Sequence, residues 1–316
     1  MKLVTFLHGG RERIGAATTR GVVDLAALVP ELNVPMEELI RRSDALVPIA
    51  KEVLKGDGTI PSGAILVEEH VVLRSPLPHP PSVRDGYAFR RHVETARKNR
   101  GLPMIPEFDL FPVFYFTNHQ AVIGPGELRV GGRRLEHLDF ELEIAAVIGR
   151  EVRNPTVEEA DESIFGFTIM NDFSARVLQM EEMKLNLGPA KGKDFATALG
   201  PYLVTRDELS KRILPSPSGS ILDATMTASV NGVRVSEGNA DQMNWTFAQI
   251  IQRAADGVTL HPGDVIGSGT VGTGCFLELN GSKVTNDQWL RPGDRISLSV
   301  EGLGTLTNTV VEDAKC

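Results

Sequence analysis

Glu141 and Glu143 stand two residues apart in an apolar run, Leu138-Asp139-Phe140-Glu141-Leu142-Glu143-Ile144-Ala145-Ala146-Val147-Ile148-Gly149, whose pattern predicts a β-strand. Side chains alternate faces along a strand, so the two carboxylates point the same way with Cα atoms about 7 Å apart. Phe140, Leu142 and Ile144 point the other way. A half-exposed strand with a solvated acidic face would show the same alternation. The flank Ala145-Ala146-Val147-Ile148, however, is apolar on both faces and carries the strand into the interior. Buried carboxylates are costly unless they meet a metal or a cation, so the pair implies one nearby.

Other residues could join that chemistry. Asp172 ends a second apolar strand pattern, Ile164-Phe165-Gly166-Phe167-Thr168-Ile169-Met170-Asn171, and a helical pattern begins directly after it. As an N-cap it would do an ordinary job for an aspartate. As a site residue it would have Arg176 and Gln179 close by, three apart on one helix face. Both readings stand. Asp85 alone reads as another helix cap, His92 as a surface histidine on a basic helix, and Lys193 as a solvated lysine in a glycine-rich loop without P-loop spacing. Gly267-Ser268-Gly269-Thr270 could turn backbone amides toward an anion. Taken together, carboxylates from separate segments without a cysteine select hard cations such as Mg²⁺, Ca²⁺ or Mn²⁺. A histidine outside that ligand set is free to act as a base.

These residues need a scaffold. At 316 residues the chain is long enough for about two domains. The best boundary is Ser75-Pro76-Leu77-Pro78-His79-Pro80-Pro81, too rich in proline for a helix or a central strand, which divides a small α+β unit (1–74) from a mainly β unit (75–316). Strands are expected at 1–7, 13–18, 21–24 and 65–73, with a helix through Leu39, Ile40, Leu46, Ile49, Ala50, Val53 and Leu54 that stops at Gly56. In the second unit Asn231-Gly232 signals a tight hairpin, and Gly131-Gly132 suggests another. Late strands are expected at 264–266, 275–279 and 294–300, and helices near 87–98, 173–184 and 245–255. A net charge of −8 argues against nucleic acid and anionic membrane as partners. Cys275 and Cys316 alone make neither a disulfide framework nor a thiolate metal site, and residues 1–6 are too short an apolar run for a signal peptide. A cytoplasmic location is the expectation.

The order of motifs from about Pro76 onward resembles the fumarylacetoacetate hydrolase superfamily. The resemblance rests on Asp85 with Tyr87 and His92, then Asp139-Phe140-Glu141-Leu142-Glu143, then Met170-Asn171-Asp172-Phe173-Ser174-Ala175-Arg176 with Gln179. It continues through Gly192-Lys193-Asp194-Phe195, the stretch from His261-Pro262-Gly263-Asp264 to Gly269-Thr270, and Cys275-Phe276-Leu277-Glu278-Leu279. It implies an α+β, mainly β fold whose catalytic domain is a mixed β-sandwich roll. It also implies a homodimer and a divalent metal, Mg²⁺ or Mn²⁺ and sometimes Ca²⁺, held by Asp85, Glu141, Glu143 and Asp172. His92 matches the family's general base and Glu278 the acid that orients it. Gln179, Lys193 and Arg176 match groups that stabilise an oxyanion, and Tyr87 and Thr270 match substrate contacts.

The implied activity is hydrolysis of a C–C bond in a β-diketo acid of the fumarylacetoacetate or acylpyruvate type, within aromatic-compound catabolism. Two departures concern the substrate's tail. The family's fumarylacetoacetases place a tyrosine in a Gly-Tyr-His-Gly setting where this chain has Phe114-Tyr115-Phe116-Thr117-Asn118-His119, and Arg97 and Arg100 both lie near the distal arginine. Rival enzymes on the same scaffold are an oxaloacetate-type decarboxylase, a dienedioate isomerase and a sugar-acid diketone hydrolase. Relatives lacking the long motif carry His and Glu three residues apart, whereas here Thr95 follows His92 at that spacing and Glu94 is off register. A non-catalytic metal-binding protein is the rival from another class.

Overall fold

A computed structural model describes residues 1–55, 60–67, 71–186 and 188–314. Its backbone is a 12-stranded mixed sheet facing a five-stranded one. The central strands of the large sheet run in the order Lys2–His8, Thr197–Thr205, Ile164–Asp172, Leu142–Ile148, Val265–Gly267, Val83–Gly86 and Phe114–Thr117. The smaller sheet orders Val233–Asn239, Thr225–Val230, Arg295–Val300, Gly304–Glu312 and Gly126–Val130. Neither sheet closes into a barrel, and one apolar core lies between them.

The strand alternation explains the layers. Leu142, Ile144, Ala146 and Ile148 join the core shared with Met226, Leu298 and Leu306 of the small sheet. Ala145 and Val147 point to the opposite face, where they meet Leu39, Ile40, Leu46 and Ala50 of the N-terminal helices. The strand is therefore apolar on both faces because it is covered on both. The N-terminal strands extend the same sheet, with Lys2 opposite Val204 and Leu3 opposite Leu203.

Several expected elements take another form. The helix over Leu39 to Leu54 is two helices, Met36–Arg41 and Ser43–Lys55, separated at Arg42, where the backbone leaves helical geometry. The 65–73 strand becomes Ile65–Leu66 and Val72–Leu73, which pair with different partners; residues 68–70, like Gly56 and Cys316, lie outside the described residues. Asn231-Gly232 makes its hairpin, with φ of 53° and 80°. Gly131-Gly132 does not. Gly126–Val130 pairs instead, in parallel, with the distant Gly304–Glu312 strand, and Gly132–Leu135 forms a 3₁₀ turn. The expected 275–279 strand is the helix Phe276–Gly281, which buries Phe276 and Leu279. Short apolar runs fit either period, and here an anchor decides: the Asp139 carboxylate accepts the backbone N–H groups of Phe276 (2.8 Å) and Leu277 (3.0 Å).

Phe140, fully buried, meets Phe276 edge-on at 5.1 Å. Phe140→Ala is expected to lower the unfolding free energy by ~3–5 kcal/mol in urea denaturation, since the cavity falls between two rigid elements. A loss of under about 1 kcal/mol would mean the site collapses freely.

Candidate metal centre and active site

Neighbouring strand ends bring the acids together. Asp85 sits beside Gly267, Gly267 beside Ala145, and Glu143 beside Met170, two residues before Asp172. An added Cβ at Gly267 would stand 2.4 Å from Asp85 Oδ1, so only glycine leaves room for that carboxylate. Carboxylate oxygens of Asp85, Glu141 and Glu143 lie within 4.8 Å of one another. Lys193 Nζ donates to Glu141 Oε2 (2.6 Å) and Asp172 Oδ2 (2.7 Å), bridging Asp172 to that cluster. Tyr115 OH also donates to Asp172, Thr270 Oγ1 to Glu143 Oε1 (3.2 Å), and Gly269 N–H to Asp85 Oδ1 (3.1 Å). Arg176 donates through Nε to Asp139 (2.8 Å), through Nη2 to Glu141 (2.8 Å) and through Nη1 to Gln179 Oε1 (3.0 Å).

The isolated readings of four residues give way here. Asp172 is not a helix cap: the helix is Arg176–Met183, capped from Ala175, and Asp172 is fully buried. Asp85 caps no helix either, because Phe89 holds that place and Asp85 lies within the strand Val83–Gly86. Lys193 and His92 are buried rather than solvated, at 4% and 7% exposure.

Charge makes the case for a metal. Five buried carboxylates, Asp85, Asp139, Glu141, Glu143 and Asp172, face two buried cations, Lys193 and Arg176. Burial, then Asp172, pushes Asp85 up to about 7. Burial, then Asp85 and Glu141, carries Glu143 well above the usual carboxylate range. Burial raises Asp172 against the opposing pull of Lys193. Glu141 is the exception: burial alone would raise it, but Lys193 and Arg176 outweigh that and hold it at about 2. Lys193 is raised in turn, because Asp172 and Glu141 overcome its own desolvation. Glu143 Oε2 and Asp172 Oδ1 are buried without a protein partner. Orphaned hard oxygens on under-compensated carboxylates fit a divalent cation.

The sign of the pH effect follows. Asp85 titrates higher in the fold than in an unfolded chain, so its contribution is fully present at low pH and is lost as pH rises through about 7. The metal-free protein should therefore lose melting temperature across that window, and excess Mn²⁺ should abolish the loss because ligation displaces the protons. Calorimetry with and without chelator reads both.

Opposite the carboxylates stands a buried histidine–glutamate pair. His92 Nδ1 lies 2.6 Å from Glu278 Oε2, both residues buried, with Tyr87 edge-on to the imidazole at 5.9 Å. Asp139 anchors the helix that carries Glu278 and also holds Arg176. Sequence reasoning assigned Asp139 no role; its place two residues before Glu141 is the one signal that could have drawn attention to it. Cys275 lies within reach of the His–Glu pair, but burial raises its thiol and keeps it protonated.

A cavity of about 600 Å³ joins the two halves. Asp85, Tyr87, His92, Glu141, Glu143 and Lys193 line it, and so do Arg176, Gln179 and Thr270. Asp172 and Glu278 stand behind its wall. Tyr115 and Arg100 also line it, whereas the Arg97 guanidinium is engaged by the Pro103 carbonyl.

Fold and site together define a mainly β protein with a hard-cation centre in a small-molecule cavity. The chain belongs to the fumarylacetoacetate hydrolase family: the family's C-terminal domain description matches residues 82–311. It is 28% identical over 323 residues to a 2,4-didehydro-3-deoxy-L-rhamnonate hydrolase of Sphingomonas sp. strain SKA58, covering 99% of this chain and 96% of that one. It is 28% identical over 317 residues to the human mitochondrial oxaloacetate tautomerase FAHD2A, covering 98% and 92%. The fumarylacetoacetate hydrolase of the psychrophile Exiguobacterium antarcticum superposes with a TM-score of 0.74 at 27% identity, covering 99% and 100%. No helix among the described residues is long and apolar enough to cross a membrane.

Proposed function

We propose that this chain is a divalent-metal-dependent hydrolase that cleaves a C–C bond of a β-diketo acid, of the fumarylacetoacetate or acylpyruvate type. The observation that carries the reading is the buried His92–Glu278 pair facing the carboxylate cluster across one cavity. Held by Asp85, Glu141, Glu143 and Asp172, a cation such as Mg²⁺, Mn²⁺ or Ca²⁺ supplies Lewis acidity toward the substrate's neighbouring oxygens.

The chain's own residues do the rest. Glu278 at Nδ1 fixes the tautomer and orientation of His92, leaving Nε2 to take a proton from water. The water oxygen bonds to the carbonyl carbon, and Lys193, Arg176 and Gln179 meet the resulting oxyanion. Arg176 occupies Gln179 Oε1, which leaves the amide NH₂ to donate. The C–C bond then breaks, its electron pair leaves on the enolate, and the proton on His92 passes to that carbon. Tyr87 and Thr270 border the substrate.

A second reading is oxaloacetate tautomerisation, favoured by the relative of that name. His92 would then shuttle a proton between carbon and oxygen without adding water. A panel of acylpyruvates, fumarylpyruvate, fumarylacetoacetate and oxaloacetate, assayed with Mg²⁺ or Mn²⁺, separates the two readings. Hydrolysis products are expected, and tautomerisation without cleavage would overturn the assignment. Chelation should abolish turnover with the circular dichroism spectrum unchanged; activity that survives chelation would leave the carboxylates without their role. A homodimer acting in the cytoplasm completes the reading, and light scattering tests the assembly.

A further inference from the structure

Glu182 lies outside the cavity and has no part in the chemistry above, yet its carboxylate takes three backbone N–H groups. Oε2 accepts from Ala190 (3.1 Å) and Gly192 (3.1 Å), and Oε1 from Lys191 (2.7 Å). Charge-assisted bonds to backbone amides are strong for their kind. Here they tie three consecutive residues of one loop to the helix Arg176–Met183, which also carries Arg176 and Gln179. The next residue is Lys193. Two more contacts fix the same register: Ala175 N–H donates to Gly192 O (2.8 Å), and Gly192 lies so close to Gln179 that an added Cβ would stand 2.7 Å from its backbone.

We propose that Glu182 is a positioning residue for Lys193. By clamping 190–192 onto the helix it sets where the ammonium stands relative to Glu141, Asp172 and Gln179, so the oxyanion donors act as one rigid unit. Its kinetic consequence rests on the hydrolase reading above; its geometric consequence does not. A misplacement of about 1 Å can cost ~10²-fold in rate, so loss of the clamp should register in kcat rather than in binding.

The test uses the full Mn²⁺-loaded chain with Glu182→Ala, Glu182→Gln as a milder variant, and Glu181→Ala as a neighbour that breaks only the exposed Arg133 pair. Glu182→Ala is expected to lower kcat ~10–100-fold with KM and Mn²⁺ affinity unchanged, Glu182→Gln to fall between it and the parent, and Glu181→Ala to match the parent. Glu182→Ala combined with Lys193→Ala should be no slower than Lys193→Ala alone, because the first acts through the second. Independently of turnover, acetic anhydride labelling mapped by mass spectrometry should modify Lys193 faster in both Glu182 variants, relative to the exposed Lys55. Unchanged Lys193 labelling, an unchanged kcat, or a double variant slower by the full product of the two losses would overturn the proposal. A parent chain that hydrolyses no acylpyruvate would sink the hydrolase reading instead, and labelling would still decide the role of Glu182.

Discussion

His92→Ala should lower acylpyruvate hydrolysis by ~10²–10⁴-fold while leaving Mn²⁺ affinity intact, the range that one positioned general base contributes. The imidazole is the group in the cavity that combines an unengaged ring nitrogen with a carboxylate partner on the other, at 2.6 Å. It is also absent from the cluster formed by Asp85, Glu141 and Glu143, so the metal should not register its removal. Truncation leaves Glu278 buried without that partner, which costs stability. His92→Asn keeps a hydrogen-bond partner for Glu278 but cannot take the proton, so it should be as slow as His92→Ala and melt closer to the parent. Steady-state rates, calorimetric metal titration and thermal melts distinguish these effects. Hydrolysis near the parent rate in either variant would remove His92 from the mechanism.

The second large effect contrasts Glu143, inside the strand Leu142–Ile148, with Glu141, which stands in the break between that strand and Leu138–Asp139 rather than in one continuous strand as the pattern predicts. Glu143 carries an orphaned oxygen and is raised by burial and then by its acidic neighbours, so its charge is uncompensated without a metal. Glu143→Gln should therefore raise the melting temperature of the metal-free protein while weakening Mn²⁺ by at least ~10²-fold, beyond what loss of an outer-shell partner typically costs. Glu141 is already paired with Lys193 and Arg176. Glu141→Ala should weaken the metal as well, but it takes one carboxylate partner from each of two buried cations, leaving Lys193 with Asp172 and Arg176 with Asp139, and should lower stability. Opposite shifts in melting with a shared loss of metal are the expected signature. Calorimetry that finds unchanged affinity in both variants would take this segment out of the metal site.

Much of this site was legible before any fold was known. The shared direction of Glu141 and Glu143 is read from strand spacing, which is local, although the fold breaks the run so that only Glu143 lies in the strand Leu142–Ile148. The order of blocks from Asp85 to Glu278 identified the family, and Asn231-Gly232 identified its hairpin, because positive φ at two adjacent positions is a backbone property of those residues. The failures share a cause. Residues 275–279 alternate well enough for a strand, but an Asp139 carboxylate more than a hundred residues away made them a helix. Gly131-Gly132 has hairpin chemistry, and a parallel partner from the other end of the chain took the strand before it.

What the sequence by itself determined is which residue types are present, their local faces and the family. Those depend on backbone periods of two and 3.6 residues and on order along the chain. Only the tertiary structure decided that Lys193 is a buried ion-pair partner rather than a loop lysine, that Asp172 caps nothing, and that Tyr115 donates to it. The reason is electrostatic: a carboxylate's state depends on the desolvation and charges within a few ångströms, and at this site those come from strands far apart in sequence.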